Sequence, residues 1–174
     1  MTPPAHPAIV AGIITASNRS FRGERVDESG PAMAEAVRGL GGDVRLQVVV
    51  PDDVDAIADA IREAVAQGCT LVLTSGGTGL SPTDVTPEAT RSVIERDVPG
   101  IAEALRARSL EQTPHAMLSR AVAGAVGRTL VVNLPGSPRA VRESFDVLAP
   151  ALPHALELLA GGTGEATHAR GRRT

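Results

Sequence analysis

The 174-residue chain has no lysine, no tryptophan and no tyrosine; all 17 basic residues are arginines, and Phe21 and Phe145 are its only Phe, Trp or Tyr residues. Each absence excludes a chemistry. Without lysine there is no G-x-x-x-x-G-K-[ST] phosphate loop, no Schiff-base nucleophile and no lysine general base. Without tryptophan or tyrosine there is no platform on which single-stranded bases could stack, and a pI near 5.8 does not suit a binder of nucleic-acid backbones. One cysteine, Cys69, permits no intrachain disulfide and points to a reducing compartment. At the mouth of an apolar strand it reads as a small buried residue rather than a nucleophile. Residues 1–6 lack a basic stretch followed by an apolar run, so no signal peptide is expected. No window approaches the ~18 apolar residues of a membrane span. The expectation is a cytoplasmic protein that meets any anion with backbone N–H groups, helix N-termini, arginines or a metal ion.

With 43% apolar residues the chain can fill one core. We expect an N-terminal tail over 1–7, one α/β domain over 8–160 and a flexible, arginine-bearing tail over 161–174. Four β-branched runs read as buried strands: Ala8 to Thr15, Val44 to Val50, Thr70 to Thr74 and Thr129 to Asn133. Between them lie helical patterns. Ser29-Gly30-Pro31 opens a helix carrying Met33, Val37 and Leu40, closed by Gly41-Gly42. Val54 to Gln67 places Ile57, Ile61 and Val65 on one stripe and stops at Gly68. Helical segments run from Pro87 to Leu110, with a break near Pro99-Gly100, after Thr86 as a candidate N-cap. Thr113-Pro114 and Ser137-Pro138 repeat the cap-plus-proline start, and Pro150 and Pro153 divide the last helical region into two. Strands alternating with helices imply a three-layer αβα sandwich with a mostly parallel central sheet.

Ligands of such sheets bind beyond the carboxyl ends of the strands. Four loops belong there: Ser17-Asn18-Arg19, Pro51-Asp52, Ser75-Gly76-Gly77-Thr78-Gly79 running on to Asp84, and Pro135-Gly136-Ser137. Glycines give the third loop access to positive φ and remove the β-carbons that would hold a phosphate away from amide N–H groups. The chain supplies its own control, because Gly-Gly-Thr-Gly recurs over residues 161–164. No strand precedes that copy, and it reads as a helix stop and linker. The strand–loop–helix context, not the tetrapeptide, carries the signal.

Asp52 and Asp84 sit at neighbouring strand ends and could share a Mg²⁺ ion with phosphate oxygens. The ordinary role of a loop aspartate is to cap a helix, and Asp52 is also placed to cap the helix at Asp53-Val54. Arg19, Arg22 and Arg120 are candidate cationic groups for a phosphate. The four histidines (His6, His115, His154 and His168) form no pair at metal spacing, and Ser75 sits in no G-x-S-x-G elbow.

Thr74 to Thr90 (TSGGTGLSPTDVTPEAT) and Met117 to Val141 (MLSRAVAGAVGRTLVVNLPGSPRAV) resemble the molybdopterin-binding proteins of molybdenum cofactor biosynthesis, the MogA, MoaB and gephyrin G-domain family. Ser17-Asn18-Arg19, Asp27 to Pro31 and Leu148 to Leu159 match as well, so the resemblance spans roughly Ile9 to Ala160. It implies transfer of AMP from Mg-ATP to the phosphate of molybdopterin, with release of pyrophosphate. It further implies a homotrimer, with a molybdenum-insertion protein downstream. The family's two aspartates fall on Asp52 and Asp84, its glycine loop on Gly76 to Gly79, and its LPGSP loop on Leu134 to Pro138. The implied binding set is Ser17, Asn18, Ser75, Gly76, Gly77, Thr78, Gly79, Thr86, Pro135, Gly136 and Ser137. Where relatives have Ser-Asp-Arg and Pro-Arg-Asp, this chain has Asn18 and Thr83, losing a carboxylate and a guanidinium. Those two positions motivate the alternative of a pterin-binding scaffold without turnover. A nucleotide-pyrophosphate hydrolase is a more distant third reading, since no Nudix-like run of glutamates is present. Any bound adenine is expected to rest on aliphatic side chains and backbone.

Overall fold

The β-branched runs pair into one sheet. Its strands are β1 (Val10–Ala16), β2 (Asp43–Val50), β3 (Leu71–Ser75), β4 (Arg96–Asp97), β5 (Ala123–Val126) and β6 (Thr129–Leu134). They lie in the order β2-β1-β3-β6-β5-β4. β1 runs parallel to β2 and β3, and β3 to β6, whereas β5 is antiparallel to both its neighbours. The computed structural model describes residues 7–162. The expected tails, with His6 and His168, lie outside these residues except for Pro7 and Gly161-Gly162.

The helices are α1 (Asn18–Phe21), α2 (Ser29–Gly39), α3 (Val54–Ala66), α4 (Thr86–Arg91), α5 (Pro99–Leu110), α6 (Pro138–Leu148) and α7 (Leu152–Leu159), with a 3₁₀ turn over Pro114–Leu118. Alternation along the strands sends side chains to opposite faces. Ile14, Val72 and Val131 pack on Ile57 and Ile61 of α3 and Ala89 of α4. Ile13, Leu73 and Val132 pack on the other face with Met33 and Val37 of α2, Phe145 of α6 and Leu156 of α7. Helices therefore cover both sides of the sheet, and the expected three-layer αβα architecture is the observed one. Among the described residues no helix is long and apolar enough to cross a membrane.

Three local expectations are corrected. β4 and β5 add to the four expected strands. They are short, and β5 offers only Ala-Gly-Ala-Val, too little for a periodic signal. A β-carbon at Gly124 would lie 2.5 Å from Ile94 Cδ1 and 2.7 Å from the Arg96 carbonyl, so the small residue there permits β4 and β5 to meet. The loop after β1 contains the four-residue α1, N-capped by Ser17 through the Ser20 N–H at 3.2 Å. Leu40 is the C-cap of α2 and 41% exposed, so the buried stripe there ends at Val37.

The end of β6 is tied to its surroundings by one buried amide. Asn133 Oδ1 accepts from the Val122 N–H at 3.1 Å, and Nδ2 donates to the hydroxyls of Thr74 and Thr90, both at 2.9 Å. Removing it strands three buried polar groups. Asn133→Ala is expected to lower unfolding free energy by about 2 kcal/mol or more, read from urea denaturation.

Candidate functional site

Strand order fixes the site. The chain leaves β1 for β2 on one side, then returns for β3 on the other, so the loops after β1 and β3 part at a topological switch point. The loops after β2 and β6 flank them on the same edge. All four expected loops therefore converge.

The glycines after β3 make the convergence possible. Gly76 and Gly77 have φ of +87° and +63°. A β-carbon at Gly76 would lie 2.3 Å from the Ala16 carbonyl oxygen at the end of β1. One at Gly136 would lie 3.4 Å from Gly76 Cα, so the loop after β6 closes on the same point. One at Gly77 would meet Thr86 Oγ1 at 2.5 Å and Asp52 Oδ1 at 3.5 Å, and one at Gly79 would meet Asp84 Oδ2 at 2.7 Å. The loop thus presents bare backbone beside both carboxylates. The second Gly-Gly pair behaves as its context suggested: Gly161, with φ of +93°, closes α7, its N–H bonded to the Leu158 carbonyl at 3.1 Å.

Asp52 does not cap α3; that role belongs to Asp53, whose Oδ1 accepts from the Ala56 N–H at 2.9 Å. Asp52 instead exchanges bonds with Asn18. The Asn18 N–H donates to Asp52 Oδ2 at 2.8 Å, and the Asp52 N–H donates to Asn18 Oδ1 at 3.0 Å. The side-chain amide of Asn18 thus supplies the acceptor that an aspartate would supply at that position. This clasp leaves Asp52 Oδ1 on the Gly77 side. Asp84 is steadied by the Ser81 N–H, 3.0 Å from its Oδ2. Thr83, the other departure, is exposed and touches the Ser81 hydroxyl at 3.1 Å.

Thr86 is the first residue of α4 rather than its cap, and its N–H donates to the Gly77 carbonyl at 3.0 Å. The residue is fully buried, yet its hydroxyl has no hydrogen-bond partner among the described residues. An unpaired buried hydroxyl is costly, and this one lies under the glycine loop beside Asp52. Ser137 N-caps α6, accepting from the Ala140 N–H at 3.1 Å, as its sequence position suggested.

Two cavities border these loops. The smaller, about 140 Å³, is polar and bounded by Thr15, Ser17, Asp27, Ser29, Ser75 and Gly76. The larger, about 270 Å³, has walls including Ala102, Leu105, Ala116 and Pro135, with Thr78 at its edge. Gly136 lines both. Neither Asp52 nor Asp84 is among the residues lining these two cavities.

Asp27 is the main residue missing from the expected site. Its Oδ1 accepts from the N–H groups of Ser29 at 3.1 Å and Gly30 at 3.0 Å and from the Ser29 hydroxyl at 3.1 Å, while Oδ2 accepts from the Thr15 hydroxyl at 3.0 Å. The buried Ser75 hydroxyl donates to Ser29 Oγ at 2.7 Å, extending the chain to the end of β3. Asp27 thereby neutralises the N-terminus of α2, which is not available to a ligand. The Asp-x-Ser-Gly-Pro spacing carried that signal in the sequence.

Of the three candidate arginines, Arg19 lies in α1, and Arg22 and Arg120 bond protein acceptors; Arg25 lines the polar cavity. Arg22 forks onto Glu24 at 2.7 and 3.1 Å on the surface. Arg120 spreads its guanidinium over the glycine loop and Glu88, with Nε, Nη1 and Nη2 each bonded to protein. Burial pushes the Cys69 thiol up, consistent with a protonated packing residue.

The comparisons with known proteins agree with this architecture. Residues 12–154 match the family described as the probable molybdopterin binding domain, and the chain belongs to that family. Gephyrin of Dictyostelium discoideum is 39% identical over 160 residues, covering 86% of this chain but only 22% of that protein. The molybdopterin adenylyltransferase of Helicobacter pylori strain J99 is 37% identical over 153 residues, covering 86% of this chain and 87% of that one. The crystal structure of the molybdopterin biosynthesis enzyme MoaB from Thermus thermophilus superimposes with a TM-score of 0.82 at 49% identity, over 88% of this chain and 97% of that chain.

The polar groups of the site lead to two expected outcomes. Thr86→Val, which deletes an unpartnered buried hydroxyl, is expected to leave stability unchanged or raised by up to about 1 kcal/mol, read from urea denaturation. The hydrogen bond from Arg120 holds Glu88 below the usual carboxylate range. Its stabilising contribution is therefore complete above the unfolded value of about 4.3 and is lost as pH falls through the depressed folded value. Urea midpoints of wild type and Glu88→Gln should differ most near neutral pH and converge in acid.

Proposed function

We propose that this chain is a molybdopterin adenylyltransferase: it transfers AMP from Mg-ATP to the phosphate of molybdopterin. The observation that carries the reading is the bare backbone of Gly76, Gly77 and Gly79 lying beside Asp52 and Asp84 at the switch point. The 37% identity to an adenylyltransferase across 87% of that enzyme supports it. In the reaction a phosphate oxygen of molybdopterin attacks the α-phosphorus of ATP; the bond from that phosphorus to the bridging oxygen breaks, and pyrophosphate leaves. The protein needs to align two phosphates and offset charge, and it needs no covalent intermediate.

The donor set fits Mg²⁺ arriving on phosphate. Asp52 and Asp84 each give one oxygen to a backbone N–H and keep the other unpaired among the described residues. No cluster of three or more His, Cys, Asp or Glu residues suited to a resident metal occurs among the described residues. Magnesium characteristically takes one or two carboxylates and completes its shell with phosphate and water. When bound, the ion would neutralise charge on the phosphates. Asp52 would be oriented by Asn18, Asp84 by Ser81, and the loop amides would face the phosphate oxygens. The cavity walled by Ala102, Leu105, Ala116 and Pro135 gives an adenine ring aliphatic surfaces, and the polar cavity around Ser17, Ser29 and Ser75 suits a pterin's donors and acceptors. Assembly as a trimer and hand-over to a molybdenum-insertion protein belong to the same proposal.

The alternative of a binding scaffold draws on Asn18 and Thr83. The reciprocal Asn18–Asp52 bonds weigh against it, because the departure at position 18 keeps the carboxylate anchored. Incubation with molybdopterin and Mg-ATP is expected to yield adenylyl-molybdopterin and pyrophosphate. Asp84→Ala or Asp52→Ala, or removal of magnesium with EDTA, is expected to cut turnover by a factor on the order of 100 or more. Wild type that binds the pterin without forming adenylate would establish the scaffold instead.

A further inference from the structure

Arg120 follows the 3₁₀ turn and reaches back across the glycine loop. Its own N–H donates to the Thr78 carbonyl at 2.8 Å. In its guanidinium, Nε donates to the Gly79 carbonyl at 2.7 Å, Nη2 donates to the Asp84 carbonyl at 2.5 Å, and Nη1 pairs with Glu88 in the first turn of α4. One residue thus holds the segment between Thr78 and Glu88 at four points, spanning both sides of Asp84.

These contacts fix more than carbonyls. Across a trans peptide the C=O and the following N–H point to opposite sides. Drawing the Thr78, Gly79 and Asp84 carbonyls onto Arg120 turns the N–H groups of Gly79, Leu80 and Val85 away from it. None of those three amides donates to an acceptor among the described residues. They are three backbone donors without a protein acceptor, flanking Asp84 in the loop, and backbone N–H groups of this kind can receive an anion. Nε, Nη1 and Nη2 each bond the loop or Glu88, so the fork acts first on the loop itself.

We infer that Arg120 is a positioning residue whose guanidinium fork holds the amides of Gly79, Leu80 and Val85 as a seat for the phosphates of the nucleotide, and holds the Asp84 backbone in register with it. The inference rests on the adenylyl-transfer reading for the identity of the anion. Arginine is required by geometry. Its planar donors meet acceptors in three directions, whereas a lysine ammonium on a flexible stem cannot hold all three at once.

The test compares wild type with Arg120→Lys, which keeps the charge and loses the fork. Amide hydrogen exchange across residues 78–85 is expected to accelerate in the variant. Calorimetric affinity for magnesium pyrophosphate is expected to fall roughly tenfold, a loss typical of one charge-assisted hydrogen bond. Molybdopterin affinity should stay at its wild-type value, and kcat should fall by a larger factor than KM for the pterin rises. Wild-type exchange together with wild-type pyrophosphate affinity in the lysine variant would overturn the inference. Loss of pterin affinity in equal proportion would also overturn it, by showing a general structural role. If Arg120→Lys does not fold, Glu88→Gln removes only the anchor of Nη1. The same exchange and affinity changes, smaller in size, are then expected, and their absence refutes the inference. A wild type that binds pyrophosphate yet forms no adenylate removes the adenylyl-transfer reading while leaving the exchange and affinity comparison decisive for Arg120.

Discussion

The approach of Gly76 to the Ala16 carbonyl is the constraint on which the rest of the edge depends. β1 and β3 are neighbours in a parallel sheet, so their loops leave from adjacent points and must diverge. Only a residue without a β-carbon, in a left-handed conformation, lets the loop after β3 cross so close to the end of β1. Gly136 then packs against Gly76 from β6, and Gly77 leaves room for Thr86 and Asp52. A side chain at any of these positions would separate loops whose juxtaposition makes the site.

A chain without lysine has only arginine as a fixed cationic side chain to offer an anion. Two arginines near the site are held by protein acceptors, Arg120 by the loop and Glu88 and Arg22 by Glu24, while Arg25 borders the polar cavity. The positive end of α2 is occupied by Asp27. What is left open is Arg25 at the polar cavity together with local, directional groups: glycine-loop amides, two carboxylate oxygens and one buried hydroxyl. Such groups act through orientation, and their orientation is set by neighbours: Asn18 for Asp52, Ser81 for Asp84, and the sheet end for Gly76. Catalysis by alignment of phosphates is the chemistry this economy of charge can serve.

Much of this was legible in the sequence. The four parallel strands and the helices α2, α3, α6 and α7 declare themselves through β-branched runs, apolar stripes and cap-plus-proline starts. The convergence of four loops follows from the parallel arrangement alone, and the motifs carried the family. The misses have physical causes. β4 and β5 are built from two charged residues and four small ones, and only tertiary contact under Ile94 makes them strands. Thr86 looked like a cap because a threonine before a proline usually is one; here the backbone turns one residue earlier and the hydroxyl is left buried. Asp52 and Asp53 are adjacent, and no local rule decides which caps α3 and which faces the site. Arg120 lies 41 residues from Gly79 in sequence, so its hold on the loop belongs to the fold and not to any local pattern.

In the proposed reaction the amides of the loop after β3, and not glycine-rich backbone in general, receive the nucleotide's phosphates. The chain carries its own control in the Gly-Gly pair that closes α7. Titration of ¹⁵N-labelled protein with Mg-ATP, followed by amide NMR, distinguishes the two. Signals of Gly76, Gly77, Gly79 and Gly136 are expected to move with a common saturation curve while those of Gly161 and Gly162 stay fixed. Saturable binding that leaves the four loop glycines unperturbed would contradict it.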